Sequence, residues 1–452
     1  MAAKDLKPLE TLTECLDWVL SGQRDPAQFK IGSEYERLAI NAAGQPLPYD
    51  GEVSIRTLLE RLATRHGWQP YLEAGRPIAL FRNGASISLE PAGQFELSGN
   101  AFATVAEMRA ELQQHLAEVR DVSEDLGVRL CSVGLNPLST LADVPKMPKG
   151  RYDIMRALLP KVGGHGLHMM HLTCTVQANL DFSSGEEAME MMRLGHLLSP
   201  ILIALFANSP ILFGKETGYA TYRAHLWTDV DASHCDVSRF AFDQSATVGD
   251  YVNWVIDAPM YVLGVTREDG SHGFDPLPTP TTFRTFFERG IGGRRPTIDD
   301  WELHASTVFP DVRLKRYLEL RQTDIVPPDA LPALPALTKG LFYDVTARRA
   351  ALAALRDGDA SIDRAQLRDL ACREALDGYA PRFDLRETAE EILRLAREGL
   401  GRLAKASGQD RDAATALEPL EAICEGEALP FYERTRQKLA KGNGLLALAD
   451  EW

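Results

Sequence analysis

Cysteine is scarce in this chain of 452 residues. The six present are Cys15, Cys131, Cys174, Cys235, Cys372 and Cys424. No two form a CxxC pair, so neither a disulfide framework nor a multi-cysteine zinc site is written into the spacing. Scattered thiols suit a reducing compartment, and the expected location is the cytoplasm. The lone "SHCD" at 233–236 has no second Cys/His cluster to complete a metal site. Basic charge is short as well: 49 Lys and Arg stand against 64 Asp and Glu, a net charge of −15. That excludes nucleic acid as a main partner, because phosphate backbones call for a basic surface. It leaves nucleotides open, which need only a few local cations. No apolar run approaches the roughly 20 residues of a bilayer span, and the first twenty residues lack a signal-peptide layout, so no membrane association is expected. Phosphate-loop patterns are missing too. "KVGGHG" (161–166) and "GKETG" (214–218) both fail GxxxxGK[ST], no GxGxxG follows a strand, and both stretches read as turns. There is no internal repeat and no low-complexity tract.

What is present is ordinary globular composition, 45% hydrophobic and 25% charged, with a length that suggests about two or three domains. "KIGSEYERLAI" (30–40) alternates as a strand. "SIRTLLERLATRHG" (54–67) reads as a helix ending at Gly67. "PIALFRNGASISLEPAGQFELSG" reads as three strands, with Asn83-Gly84 as a tight hairpin turn. Residues 104–127 form a long amphipathic helix. "HLTCTVQANLDF" (171–182) alternates without a break and reads as one central strand. Residues 186–210 read as a largely buried helix, and "YATYRAHLW" (219–227) as a strand or extended segment. Helix is expected from 299, leading into "RLKRYLELR". The proline-rich 326–340 reads as a loop or bend, and the remainder as nearly all helix. Strands with helices segregated from them indicate an α+β fold.

The chemistry lies on the polar faces of the strands. Glu34 and Glu36 share one face, as do Glu90 and Glu96 on either side of a Pro-Ala-Gly turn, and Gln177 and Asn179. Glu319 and Arg321 share a face if "YLELR" is extended. A solvated face of an antiparallel sheet would also be polar, but such a face usually mixes in lysine. Here the carboxylates sit beside Gly, Ser, Gln and aromatic residues. Clustered carboxylates repel one another unless protonated or bridged by hard divalent cations, which take oxygen ligands and pair them with substrate phosphates. Arg223, Arg313, Arg316 and Arg321 lie among aromatic and acidic neighbours, and Arg binds carboxylate or phosphate as a bidentate fork. His225 and His304 are candidate acid–base groups, against the blander reading of structural histidines.

The segments "IGSEYERLAI", "SISLEPAGQFELSG", "MPKGRYDIM", "TCTVQANLDFSS", "ALFANSP", "YRAHLWTDVD", "DAPMY", "RPTIDDWELHASTVFPDVRLKRYLELR" and "GLFYD", in this order, resemble the plant and proteobacterial type of glutamate–cysteine ligase. The likeness runs from about residue 25 to 345. It implies a glutamine-synthetase-like fold, an antiparallel sheet curled into a funnel with helices on its outer side. It also implies a single catalytic ligase domain, 1–452, with a sheet-containing core to 340 and a helical part from 341. The implied reaction joins the γ-carboxylate of L-glutamate to the amine of L-cysteine through γ-glutamyl phosphate, using ATP and two or three Mg²⁺ ions, as the first step of glutathione biosynthesis. By resemblance, Glu34, Glu36, Glu90, Glu96, Gln177 and Glu319 are metal ligands. Arg223 and Arg321 are catalytic, and with Gln177 and Asn179 they bind substrate. A monomer or a homodimer is implied.

The chain departs from the family pattern in places. It reads "MMHLTCTVQ" where "MMxRTCTVQ" is usual, so Leu172 replaces a cation. "ELRQTD" replaces "EMRGAD", with a rewritten 322–337 beyond it. No cysteine lies in 275–295, where plant relatives keep a regulatory pair. A ligase of the same fold using a different amine or acid is therefore the alternative.

Overall fold

The computed structural model describes residues 7–236, 242–267, 272–359, 363–381 and 383–450. Its centre is β1 (Ile31–Ile40). The other strands of the main sheet are β2 (Gln69–Glu73), β3 (Arg76–Arg82), β4 (Ala85–Leu89), β5 (Phe95–Ser98), β6 (Arg129–Cys131), β7 (Val176–Leu180), β8 (Val312–Leu314) and β9 (Leu318–Leu320). The nine strands run in the order β8-β9-β7-β1-β5-β4-β3-β2, with β6 on the far half of β1. Every pairing is antiparallel.

Alternation sets the two faces. Tyr35, Ile87, Phe95, Leu97, Val176, Leu180, Leu318 and Leu320 are buried on the apolar face, where the helices pack. Helix Ala333–Tyr343 lies against β7 and β1, and helix Gly185–Leu205 against β8 and β9. Helix Leu385–Ser407 crosses Ala333–Tyr343 at Gly340 and Gly399. A Cβ on Gly340 would sit 2.2 Å from the Ala396 carbonyl oxygen, so only glycine permits this approach. Local signals place the ends of several elements. Ser54 and Thr104 accept N–H bonds at their helix starts, and Gly67 and Gly127 end those helices in left-handed conformation. Asn83 and Gly84 both take positive φ, as a two-residue turn between β3 and β4 requires.

Four readings need correction. The strand expected over 171–182 is only Val176–Leu180, because His171 and Leu172 finish helix Gly166–Leu172 and Thr175 bridges to Asp324 instead. "YATYRAHLW" is not extended: Thr221 accepts the Ala224 N–H and starts helix Tyr222–Leu226. The proline-rich segment is half helix, since Pro332 and Pro335 fall at the start of Ala333–Tyr343, where a missing N–H costs nothing. Strand β2, with an exposed face, escaped the pattern. Among the described residues one helix, Gly185–Leu205, has the length and mean hydropathy of a membrane span, although charged residues interrupt its apolar run. Its most apolar window is 89% buried within the protein.

Candidate active site

The opposite, polar face of the sheet collects the side chains singled out above. Register alone aligns them. Glu36 lies opposite Glu96, which in turn lies opposite Ser88. Glu34 lies opposite Gln177, and Asn179 opposite both Gly32 and Glu319. Glu90 follows β4 and faces the same cavity as Glu36. The sheet therefore gathers Glu34, Glu36, Glu90 and Glu96 from three separate stretches of chain.

Each carboxylate is held. Ser88 Oγ donates to Glu96 Oε2 at 2.7 Å. The Thr175 N–H donates to Glu36 Oε2 at 2.9 Å, and Gln177 Nε2 approaches Glu36 Oε1 at 3.4 Å. Asn179 Nδ2 donates to Glu34 Oε1 at 2.8 Å. Tyr152 OH donates to Glu90 Oε1 at 3.3 Å. Arg321 Nη1 donates to Gln177 Oε1 at 2.7 Å. Arg223 is 2% exposed. Its Nη1 and Nη2 donate to the carbonyls of Gln322 and Arg321 at 3.2 and 3.1 Å, while Nε finds no hydrogen-bond partner among the described residues.

The electrostatics show what this face lacks. Burial, then the charge of Glu90, pushes the Glu36 carboxyl from its ordinary 4.5 up to about 8, against the pull of Arg223 and Arg321. Burial, then Glu90, Glu34 and Glu36, raises Glu96 well above the same value. Protons or metal ions must offset the crowding. Folded protein therefore holds protons that the unfolded chain releases above about 4.5. The contribution of these two carboxyls to stability is fully present below that pH and is lost as pH rises toward 8. We expect the melting temperature of Glu96→Gln, measured without divalent cations, to gain on that of the unaltered chain between pH 5 and pH 8, and added Mg²⁺ to narrow the gap.

Glu319 is placed differently from the other glutamates. It is 1% exposed. Its Oε2 accepts from Arg313 Nε, and its Oε1 lies 2.7 Å from Lys315 Nζ. Arg321 Nη1 is 3.6 Å away. These three cations depress its pKa in spite of burial. Its oxygens are already committed to cationic side chains, an arrangement at odds with the metal-ligand role implied by resemblance.

A cavity of about 120 Å³ opens on this face. Glu36, Glu90, Thr175, Arg151, Arg223 and Arg321 make its polar side, and Met155, Met169, Met170, Trp227 and Phe309 its apolar side. Arg151 and Tyr152 were missed as site residues although "MPKGRYDIM" was noted. An arginine and a tyrosine directly after Lys-Gly at a helix start were the available signal. Lys149 was missed too; it fixes the end of β4 by donating to the Leu89 carbonyl at 2.6 Å. The methionines and aromatics carry no sequence signal that separates a cavity wall from core. Other candidates lie elsewhere. Arg316 is exposed in the β8–β9 turn, and Arg313 serves Glu319. His304 is buried, bonded to the Val255 carbonyl at 2.7 Å and stacked on Phe283. His234 of "SHCD" is buried against Asp231, 2.9 Å away. His225 lies outside the cavity. Leu172 does not line it either: it is fully buried in a small separate cluster with Leu135, Val144 and Leu226.

The family model for glutamate-cysteine ligase family 2 matches residues 30–429. The chain belongs to this family. The match extends past residue 345 into the helical part. Glutamate–cysteine ligase B, chloroplastic, from Oryza sativa subsp. japonica is 39% identical over 410 residues, 89% of this chain and 79% of that protein. The chloroplastic glutamate–cysteine ligase of Arabidopsis thaliana is 38% identical over 427 residues, 92% of this chain and 79% of the relative. A crystal structure of glutamate–cysteine ligase from Francisella tularensis, in complex with AMP, aligns with a TM-score of 0.53 at 12% identity. It covers 93% of this chain and 86% of that one, a likeness of fold. The relatives also overturn one expectation. They are named chloroplastic, so the cytoplasmic location inferred from scattered thiols does not stand; a plastid stroma is also reducing, and free cysteines cannot tell the two apart.

Proposed function

We propose that the polar face of the sheet is where glutamate–cysteine ligase activity takes place, through phosphorylation of the glutamate γ-carboxylate by ATP. The observation that carries this reading is the meeting of four carboxylates with two anchored guanidiniums, Arg223 and Arg321, beside one cavity. The family and its relatives supply the reaction, ATP-dependent joining of glutamate to cysteine. We read the whole chain as one catalytic unit, with the helices beyond residue 340 buttressing the apolar face.

Glu34, Glu36, Glu90 and Glu96 fit Mg²⁺, since they are oxygen donors whose mutual repulsion is unrelieved, whereas the amide oxygen of Gln177 already accepts from Arg321. When bound, the ions neutralise charge between the phosphates of ATP and the acceptor carboxylate. Arg321, held by Gln177, presents a fixed positive charge to the transferring phosphoryl group, and Arg223, held from behind by two carbonyls, presents one to a substrate carboxylate. Both remain protonated. Because their positions are set before substrate arrives, little reorganisation is needed as charge develops. Glu319 is assigned to the cations rather than to the metal. The cysteine nitrogen then attacks the acyl carbon, the C–O bond to phosphate breaks, and the amine loses a proton. Met155, Met169, Met170, Trp227 and Phe309 give the thiol an apolar, polarisable wall.

The test is ADP release with ATP, Mg²⁺ and L-glutamate, in the presence of cysteine or of a panel of other amines, with products identified by mass. A γ-glutamyl dipeptide formed with cysteine, in step with ADP, is the expected result. ADP release that ignores the amine would indicate a hydrolase. A dipeptide with another amine and none with cysteine would indicate a changed acceptor.

The position of Leu172 removes the main reason for expecting a changed acceptor. Leu172→Ala should cost about 2–5 kcal/mol of stability, as other buried leucines do, and leave the ranking of acceptor amines unchanged. A thermal melt and the same amine panel check both halves; a new ranking would put Leu172 in contact with the acceptor site.

A further inference from the structure

The segments "ALFANSP" (204–210) and "ELRQTD" (319–324) meet around one buried carboxylate. Asp324 is 2% exposed and does not line the cavity. Its Oδ2 accepts the Asn208 N–H at 2.8 Å and the Ser209 hydroxyl at 2.6 Å. Its Oδ1 accepts the Thr221 hydroxyl at 3.0 Å and lies 3.9 Å from Arg223 Nη1. Asn208 is itself fixed. Its Nδ2 donates to the carbonyls of Ser132 and Ile325 at 3.0 and 2.8 Å, and its Oδ1 accepts the Thr435 hydroxyl at 2.7 Å. Gly134 leaves room for the carboxylate, since a Cβ there would come 2.4 Å from Asp324 Cγ.

Arg223 is tied to this carboxylate at both ends. At the backbone, its N–H donates to Ser209 Oγ at 3.1 Å, and that hydroxyl is oriented by Asp324. Thr221, which also donates to Asp324, caps the helix Tyr222–Leu226 that carries Arg223. At the guanidinium, Asp324 stands within ion-pair reach but short of a hydrogen bond. The guanidinium is therefore balanced without being drawn onto Asp324, and the Gln322 and Arg321 carbonyls fix its direction.

We propose that Asp324 is a positioning residue for the ligase reaction: through Ser209, Thr221 and the guanidinium it sets where Arg223 presents its charge to a substrate carboxylate. The proposal rests on the role given to Arg223 above. The competing account is that Asp324 only ties together segments far apart in the chain. Neutral donors such as Ser209, Thr221 and the Asn208 N–H need an acceptor, which any carbonyl oxygen could supply. The group that calls for a negative charge is Arg223. Burial lowers its pKa, and Asp324, ahead of Glu36, opposes that. Glu36 faces the cavity and Asp324 does not, so the charge of Asp324 stays with Arg223 whatever enters the cavity. A cation held in place beforehand needs little reorganisation when substrate arrives.

The experiment measures kcat and the KM values of L-glutamate, L-cysteine and ATP. It compares the full chain with Arg223→Gln, Asp324→Asn, Ser209→Ala, and Arg223→Gln combined with each of the other two. Where turnover is too slow, dissociation constants from calorimetry replace KM. Arg223→Gln should raise the KM of one amino-acid substrate. Asp324→Asn should raise the KM of that same substrate at least about tenfold, as a small displacement of a binding group does, and leave the KM of ATP unchanged. Combined with Arg223→Gln it should add nothing, because nothing is left to position, whereas independent effects multiply. Effects that multiply would overturn the proposal, as would a fall in kcat with all three KM values kept. An effect in Arg223→Gln that Asp324→Asn does not share would overturn it too, with the reading of Arg223 intact. No effect of Arg223→Gln on either amino acid would overturn that reading and the proposal together. Thermal melts report folding. Should Asp324→Asn not fold, Ser209→Ala, which keeps every charge, decides: the same KM rises, and not on top of Arg223→Gln; an unchanged KM would overturn the proposal.

Discussion

Glu96→Gln will lose ATP turnover by on the order of a thousandfold, about 4 kcal/mol of transition-state stabilisation, as expected when a metal-bearing carboxylate is removed. The same change will make the metal-free protein more stable. Both effects follow from one observation. Glu96 is 7% exposed, faces Glu36 across the β1–β5 pair, and has its pKa raised by burial and by three neighbouring glutamates. An amide keeps the shape and the Ser88 contact while removing a charge that the apo fold accommodates poorly. ADP release and thermal melts with and without Mg²⁺ measure the two effects. A variant that turns over ATP normally would remove Glu96 from the metal site, and a variant less stable without Mg²⁺ would contradict the repulsion argument.

Glu319→Gln separates two roles that the sequence could not. If Glu319 anchors cations, as its contacts with Arg313, Lys315 and Arg321 indicate, the amide leaves buried positive charge unmatched. Breaking a buried ion pair by removing one partner costs about 3–5 kcal/mol. Arg321 would then sit less firmly between Gln177 and the cavity. A displacement of 1 Å at such a group costs on the order of a hundredfold in rate. The expected result is a large fall in melting temperature and in kcat, with the Mg²⁺ concentration for half-maximal activity unchanged. A rise in that concentration, with stability retained, would return Glu319 to the metal ligands.

Much of the site was legible in the chain because a strand projects alternate residues to one side. Ser88 and Glu96, Glu34 and Glu36, and Gln177 and Asn179 could each be put on a polar face by period alone. Helix boundaries at Ser54, Gly67, Thr104 and Gly127 were legible for a similar reason, since each cap bonds within its own few residues. The resemblance of the ordered motifs supplied the reaction, which no periodicity could have done.

Where local pattern failed, distant contacts had the deciding part. Residues 219–227 alternate, yet a threonine cap turns them into a helix whose Arg223 reaches carbonyls about a hundred residues further on. Leu172 looked like a changed substrate contact and proved to be core. Sequence by itself determined which residues share a face, because that depends on backbone period. Only the tertiary structure decided which faces meet: that Glu36 stands opposite Glu96, and that Glu319 is enclosed by cations. Those relations depend on pairing between strands and helices far apart in the chain, and the energy that fixes them is packing on the opposite, apolar face of the sheet.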